Sequence, residues 1–366
     1  MLKVGSDFSG VGAFNQALIR LGKPYKEVFA CDMDKYARQT FIENYGEPEY
    51  YPTNVYDRKI PTEPLDIYVS SPPCQAFSLA GKRLGKDDKR GILFFNSYEF
   101  IQVNKPRFFI FENVKGLLSD DNGKTFNEWV NMLGGKSVNG VPVLFPYEES
   151  VPYHLYWKVL NAKNHGVPQN RERVFLIGIR DNKDNTFRFP VEEHLTKRLK
   201  DVLENDVDEK YFVTNTKIEY LQRSKETTFN VNANILNQEI PNVSRTIQNG
   251  YWKGRRDNQF IKVKSATSNG YEIATEGDSI NFKNINSQTR RGRVGKGVAQ
   301  TIESNNMSLG IMKQGNIRKL TPRECFRLMD FPDTFTWPVS DSQAYKQAGN
   351  SIVVNVLYKI LKNLPL

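Results

Sequence analysis

Cysteine and histidine are scarce in this 366-residue chain, at three residues each. Cys31, Cys74 and Cys325 match neither a disulfide framework nor a zinc pattern, which excludes a stapled secreted scaffold and points to a reducing compartment. His154, His165 and His194 are equally scattered, so no ligand set for a metal exists and no metal is expected. No apolar run is long enough to span a membrane, and the opening MLKVGSDFSG lacks the charged and apolar segments of a signal peptide. Internal repeats are missing too. A soluble protein of the cytoplasm or nucleoid, without a membrane partner, is expected.

What is present is a basic chain with enough apolar residues for one large core. Hydrophobic residues make up 39%, and the length exceeds the usual single domain enough to predict a second, smaller lobe. The net charge of +10 favours a polyanionic partner, nucleic acid first. Between Arg245 and Lys319 stand 14 basic and 5 acidic residues, a surplus that accounts for most of the chain's excess.

Over the first 180 or so residues short apolar runs alternate with amphipathic stretches, the pattern of an α/β domain with a largely parallel sheet. Strands are predicted at 2–7, 27–31, 65–70, 107–111, 153–160 and 173–179. Helices are predicted at 12–22, 35–45, 92–103 and 126–133. From about 190 to 317 the chain turns rich in Asn, Ser, Thr, Gly and Arg, with regularly spaced aromatic and Ile residues that favour a small β-rich lobe over a disordered insert. Helices at 320–329, capped by Thr321 with Pro322 in its first turn, and at 351–361 complete the pattern. The expected division is 1–189 for catalysis and cofactor, 190–317 for target recognition, 318–340 as hinge and support, and 341–366 as a helix returning to the first domain.

Several segments carry chemistry. Phe8-Ser9-Gly10-Val11-Gly12 follows the first strand and opens a helix, where backbone can approach a ligand, although a glycine turn there is more often only a tight turn. The next strand ends in Cys31-Asp32-Met33-Asp34, where an acid would meet ribose hydroxyls, with Asp34 as a helix cap. The strand at 65–70 runs into Ser71-Pro72-Pro73-Cys74-Gln75-Ala76-Phe77-Ser78, placing a thiol past a strand's carboxyl end. A lone cysteine is usually a buried small hydrophobe, but this setting favours a nucleophile. The strand at 108–111 delivers Glu112-Asn113-Val114 to the same sheet edge, and desolvation there would raise the glutamate's pKa so that it can donate a proton. In Gln169-Asn170-Arg171-Glu172-Arg173, alternation puts Arg171 and Arg173 on one face, as a surface charge cluster or as ligands for carbonyl or phosphate oxygens.

Together with Asp88-Lys89-Arg90-Gly91 and Leu93-Phe94, the run Arg318-Lys319-Leu320-Thr321-Pro322-Arg323-Glu324-Cys325, and Gly349-Asn350-Ser351, this ordered set resembles the cytosine-C5 DNA methyltransferase family over residues 2–180 and 318–361. The resemblance implies a Rossmann-like fold, S-adenosyl-L-methionine as methyl donor and double-stranded DNA as substrate. It assigns Cys74 the attack on C6 of a flipped-out cytosine, Glu112 the hold on N3 and the amino group, Arg173 the O2, and Arg171 the companion place. Phe8, Gly10, Gly12, Asp32, Met33, Asn54, Pro73 and Leu93 fall on cofactor positions, and Asn350 with Ser351 on the segment closing the cofactor pocket. Gln75 and Ser78 are implied DNA contacts. Arg255, Arg256, Arg290, Arg291 and Arg293 are candidates for phosphates or guanine edges.

The chain departs from the family at Ser6, where an acid is common, at Asn54, where an acid usually contacts the adenine amino group, and at Asp330, where glycine is common. Methylation of an exocyclic amine is disfavoured because its Ser-Pro-Pro block would end in an aromatic residue where Cys74 stands. Cys31 and Cys325 do not supply the second thiol of a two-cysteine RNA enzyme, and the Cys-Phe-Thr element of tRNA-modifying relatives is absent. A silent DNA-binding regulator is disfavoured by Cys74 and Glu112. The expectation is a monomer on DNA serving restriction-modification, a phage, or orphan modification.

Overall fold

A computed structural model describes residues 1–73, 92–212, 229–230, 260–283, 287, 289–303, 309–313 and 316–366. Cys74, Gln75, Ser78, Arg255 and Arg256 lie outside the described residues. The elements run β1 (Leu2–Asp7), α1 (Ala13–Leu21), β2 (Tyr25–Cys31), α2 (Lys35–Tyr45), β3 (Ile67–Ser70), α3 (Ile92–Asn104), β4 (Phe108–Val114) and α4 (Lys124–Leu133). Then come β5 (Ser137–Val138), β6 (Val141–Pro142), β7 (His154–Asn161), β8 (Gln169–Asn170) and β9 (Glu172–Ile179). Short strands follow: β10 (Phe229–Asn230), β11 (Phe260–Lys264), β12 (Tyr271–Thr275), β13 (Ser279–Asn281), β14 (Val294–Gly295), β15 (Ala299–Gln300), β16 (Leu309–Lys313) and β17 (Asn316–Lys319). The C-terminal helices are α5 (Pro322–Leu328), α6 (Asp341–Asn350) and α7 (Val354–Lys362).

Eight strands form one sheet in the order β2-β1-β3-β4-β9-β7-β5-β6. Its first four strands are parallel, while β9 is antiparallel to both β4 and β7. Residues 162–171 between β7 and β9 are fewer than the dozen or so that a parallel crossover needs, so the chain returns antiparallel. From β1 the chain moves to β2 on one side and then to β3 on the other. The order therefore reverses between β1 and β3, and a crevice opens at their carboxyl ends.

Two apolar layers cover the sheet. On one face α1 packs against α7, with Ala17, Leu18, Leu357 and Ile360 in a common core. The other face is aromatic, with Tyr68 stacked on Phe100 and Phe94 on Trp129, each pair 4.1 Å between centroids. Each such buried ring contributes roughly 1.5–3 kcal/mol through the area it removes from water.

Local signals place the helix starts. Asp34 Oδ1 accepts from the amides of Tyr36 and Ala37 and caps α2, and Gly22 ends α1 at φ 70°. Thr321 and Glu324 form a reciprocal capping box on α5, with Pro322 in its first turn. The single helix expected over 341–366 is two, α6 and α7, and α6 has little local signal of its own, because Asp341–Asn350 is mostly polar and ends in Gly-Asn. It is held by tertiary contacts instead: Gln347 accepts from Thr40 Oγ1 at 3.0 Å and donates to the carbonyl of Tyr36 at 2.9 Å. Asp330, at the position where glycine is common, has φ 64°. Arg20 reaches it through Oδ2 at 2.5 Å and the carbonyl at 2.9 Å.

Beyond the large sheet, β10-β11-β12 and β14-β13-β16-β17 form two small antiparallel sheets around Val263, Ala274, Ile280 and Met312. This β-rich part is joined to the large domain by a parallel pairing of β15 with β8, Ala299 opposite Gln169 and Gln300 opposite Asn170.

Candidate active site

The crevice at the strand switch is a cavity of about 650 Å³. The ends of β1, β2, β3 and β4 reach it with Phe8, Gly10, Asp32, Pro73 and Glu112, and Arg171, Arg173, Asn350 and Ser351 complete its wall. The structure thus brings nine residues singled out in the sequence to one space. Gly12, Met33, Asn54 and Leu93 are not on this wall. Gly12 shapes the entry to α1: its φ is 80°, and a Cβ there would sit 2.2 Å from the Tyr45 ring. Met33 is 85% exposed beside Asp32. Asn54 Oδ1 accepts from the amide of Tyr56, and Leu93 packs against the aromatic core.

The backbone after β1 turns through left-handed residues at Phe8 (φ 56°), Gly10 (φ 56°) and Gly12. Phe8 carries real strain, since a bulky residue rarely adopts that region. This turn presents the Gly10 amide to Asp32 Oδ2 at 2.7 Å, while Asp32 Oδ1 accepts from the amide of Asp34 at 2.8 Å. Burial raises the Asp32 pKa, and the two backbone amides pull it back. Lys346 on α6 pairs with Asp34 at 2.7 Å and closes the cavity's C-terminal side.

The charge beneath β1 differs from the family pattern. Adjacent strand residues face opposite sides, and Asp7 does not stand in for an acid at Ser6. Its carboxylate meets Arg58 Nε at 2.9 Å and accepts from Tyr68 Oη at 2.6 Å, all three groups being buried. Ser6 Oγ and Ser71 Oγ are buried at the cavity wall with no partner among the described residues. Two orphaned hydroxyls, an Asp32 carboxylate with lone pairs to spare and an open glycine turn suit a ligand that bears ribose hydroxyls and charged ends.

Glu112 lies inside β4, because β9 extends that strand by pairing Glu112 with Phe175 and Val114 with Arg173. Its carboxylate is 3.1 Å from Arg173 Nε. Burial behind Phe108–Phe111 raises its pKa, opposed first by Arg173 and then by Arg171. The two arginines diverge. Arg173 is partly exposed and donates to the carbonyl of Glu172, whereas Arg171 is buried with its guanidinium on three backbone carbonyls. Burial lowers the Arg171 pKa to about 9, with Arg173 adding to the fall and Glu112 opposing it.

Asn113 carries little sequence signal of its own. Its Nδ2 donates to the carbonyl of Pro72 at 3.0 Å, tethering β4 to the segment that leads into Cys74. Its place in Glu-Asn-Val is the only signal that could have found it.

In the β-rich part Arg291 is exposed and Arg290 partly so. Arg293 is a correction: it is fully buried, and its guanidinium donates to the carbonyls of Asn281 and Lys283 at 3.3 and 3.2 Å. The lone pairs it satisfies are those of its own lobe, so it is not available to DNA.

An open α/β sheet with a ligand crevice at its strand switch, an acidic residue after β2 and a carboxylate–guanidinium pair after β4 defines the methyltransferase class. The chain belongs to the C-5 cytosine-specific DNA methylase family, which matches residues 2–365, and its activity is methylation of cytosine at carbon 5 in DNA. It is 32% identical to the orphan methyltransferase M.SPRI of Bacillus phage SPR, over 99% of this chain and 97% of that protein. It is also 32% identical to the type II methyltransferase M.HhaI of Haemophilus parahaemolyticus, over 98% and 92%. Its fold resembles a DNMT2 from Spodoptera frugiperda (TM-score 0.60, 19% identity, 99% of each chain). A putative DNA modification methyltransferase from an E. coli prophage matches as well (TM-score 0.60, 20% identity, 100% and 99%). Among the described residues no cluster suits a metal ion, and no helix is long and apolar enough to cross a membrane.

Proposed function

We propose that the chain methylates a cytosine flipped out of double-stranded DNA, with Cys74 as nucleophile, Glu112 as proton donor and S-adenosyl-L-methionine as methyl donor. The observation that supports this best is the Glu112–Arg173 pair standing in the same cavity as Asp32 and the Phe8–Gly12 turn. S-adenosyl-L-methionine, when bound, supplies an electrophilic sulfonium methyl. Asp32 would accept from ribose hydroxyls, Phe8, Gly10 and Pro73 would line the rest of that site, Asn350 and Ser351 would close it, and Gly12, Met33, Asn54 and Leu93 stand outside its wall and would act on it through the turn and the loops beside it.

Carbon 5 of cytosine is too weak a nucleophile by itself. Addition of the Cys74 thiolate at C6, with a proton from Glu112 to N3, makes C5 an enamine carbon. Burial favours the protonated carboxyl that this step needs, and Arg173 holds the O2. Once C5 has taken the methyl group, loss of the C5 proton, return of the N3 proton to Glu112 and release of the Cys74 thiolate from C6 restore the ring. A stacked base cannot be reached in this way, so it must leave the helix. Residues 190–317 form the recognition lobe, with Gln75, Ser78, Arg255, Arg256, Arg290 and Arg291 toward DNA, and 318–340 support it. The enzyme acts as a monomer in the cytoplasm, in restriction-modification, phage or orphan modification.

Bisulfite sequencing of DNA from cells expressing the chain identifies the site. A duplex with 5-fluorocytosine at that site is then expected to give a cofactor-dependent adduct that survives denaturation, because fluorine cannot leave as a proton. Cys74→Ser is expected to give none. An N4-methylcytosine product without a trapped species, or an adduct on Cys31 or Cys325, overturns the reading.

A further inference from the structure

The tripeptide Gln169-Asn170-Arg171 joins three distant parts of the chain. Arg171, 3% exposed, donates from Nη1 to the carbonyl of Ile302 at 3.1 Å, and from Nη2 to those of Gly349 at 3.0 Å and Ser351 at 2.8 Å. Gln169 is fully buried; its Oε1 accepts from the amide of Ile302 at 3.2 Å and its Nε2 donates to the carbonyl of Leu328 at 2.7 Å. Ile302 is therefore held on both sides, at the N–H of the peptide before it and the C=O of the peptide after it. Thr301 Oγ1 adds a bond to the carbonyl of Asn170 at 2.8 Å, beside the pairing of β8 with β15. Ile302 follows β15 of the recognition part, whereas Gly349 and Ser351 line the cavity.

We propose that Arg171 is a positioning residue that couples the two ligand sites, so that DNA seated on the recognition lobe tightens the C-terminal wall of the cofactor pocket. The inference rests on the functional reading above. A guanidinium is a rigid planar fork, so its donors cannot follow one carbonyl without shifting at the others. Being buried, it has no water to replace a lost partner. A displacement at Ile302 is thereby passed to Gly349 and Ser351, and the reverse. Linkage requires the effect to be mutual: the cofactor tightens DNA by the factor with which DNA tightens the cofactor. Arg171 thus acts through the pocket wall, while Arg173 faces the reacting base.

The test uses the full chain and compares the dissociation constant of S-adenosyl-L-homocysteine in the absence and presence of sheared, unmethylated genomic DNA. The ratio is expected to be on the order of tenfold in the wild type. Arg171→Lys, a point charge that cannot span three carbonyls, is expected to bring it to within about twofold of one. Gln169→Leu, which loosens Ile302 but leaves the contacts to Gly349 and Ser351, is expected to lower it as well and serves if the arginine variant fails to fold. A residue that only supports the fold would weaken each affinity and leave the ratio intact, and that result overturns the proposal. So does a wild-type ratio of one. Failure of the wild type to bind S-adenosyl-L-homocysteine at all overturns the cofactor reading together with this proposal, whereas an unchanged ratio overturns this proposal alone.

Discussion

The Arg173 guanidinium stands 3.1 Å from the Glu112 carboxylate, carried there by neighbouring antiparallel strands. Burial raises the Glu112 pKa, and Arg173 keeps it from rising further. A carboxyl with a raised folded-state pKa contributes stability below its unfolded value and loses it as pH climbs through the folded value. Burial thus penalises the ionised form and favours the protonated one. Glu112→Gln is expected to melt no lower than the wild type at pH 7 and to keep S-adenosyl-L-homocysteine binding, while methylation slows by about 10²–10⁴. Near-normal turnover in a single-turnover assay would rule out proton donation.

Asn113 holds the carbonyl of Pro72 and so sets where the segment bearing Cys74 begins. Asn113→Ala is expected to lower kcat on the order of 10–100-fold by shifting the start of the segment proposed to carry the nucleophile. The dissociation constant of S-adenosyl-L-homocysteine should change little. A variant in which cofactor affinity collapses and kcat does not would show that the tether serves the pocket instead.

Asp330 occupies a left-handed conformation and is held there by Arg20, which also donates to Asn355. Arg20→Ala is expected to destabilise the wild type by about 1 kcal/mol. The same change should cost much less in an Asp330→Gly background, where the backbone prefers that region without help. Urea unfolding of the four proteins in a double-mutant cycle measures the coupling, and strict additivity would show that Arg20 does not stabilise the turn.

Glu27 on β2 accepts from Asn15 Nδ2 at 3.0 Å, and burial lifts its pKa from 4.5 to about 7. The sign follows from linkage: between those values the native state holds a proton that the unfolded state has lost, so stability falls as pH rises. The fall is roughly 2 kcal/mol after allowance for partial exposure. Glu27→Gln is expected to flatten the stability profile between pH 4.5 and 7. If denaturation midpoints of the two proteins run parallel across that range, Glu27 does not titrate as described.

Much of the parallel half of the fold is legible in the sequence because its strands are short apolar runs with turn residues at their ends, and α2 carries the Asp34 cap; Thr321 marks α5 in the same way. The site follows the same logic. Asp32 and Glu112 each belong to a strand's carboxyl end, so the local chain delivers them to the sheet edge. Helix α6 is harder to read, because the face it buries is only Ala344 and Ala348 beside a polar Gln347, whose partners Thr40 and Tyr36 lie more than 300 residues away.

Residue type and local spacing therefore determined by themselves the glycine turn after β1, the acid after β2, the glutamate of β4 and the family to which they belong. Tertiary structure alone decided which arginine faces what. Arg171 and Arg173 look equivalent in an alternating segment, yet only Arg173 meets Glu112, because three carbonyls from 302, 349 and 351 converge on Arg171. Arg293 looks like Arg291 in a glycine-rich run without a period, yet the carbonyls of Asn281 and Lys283 hold it inside. The physical reason is common to both: a guanidinium goes where buried acceptors need a donor, and those acceptors are backbone groups brought together only when distant segments pack.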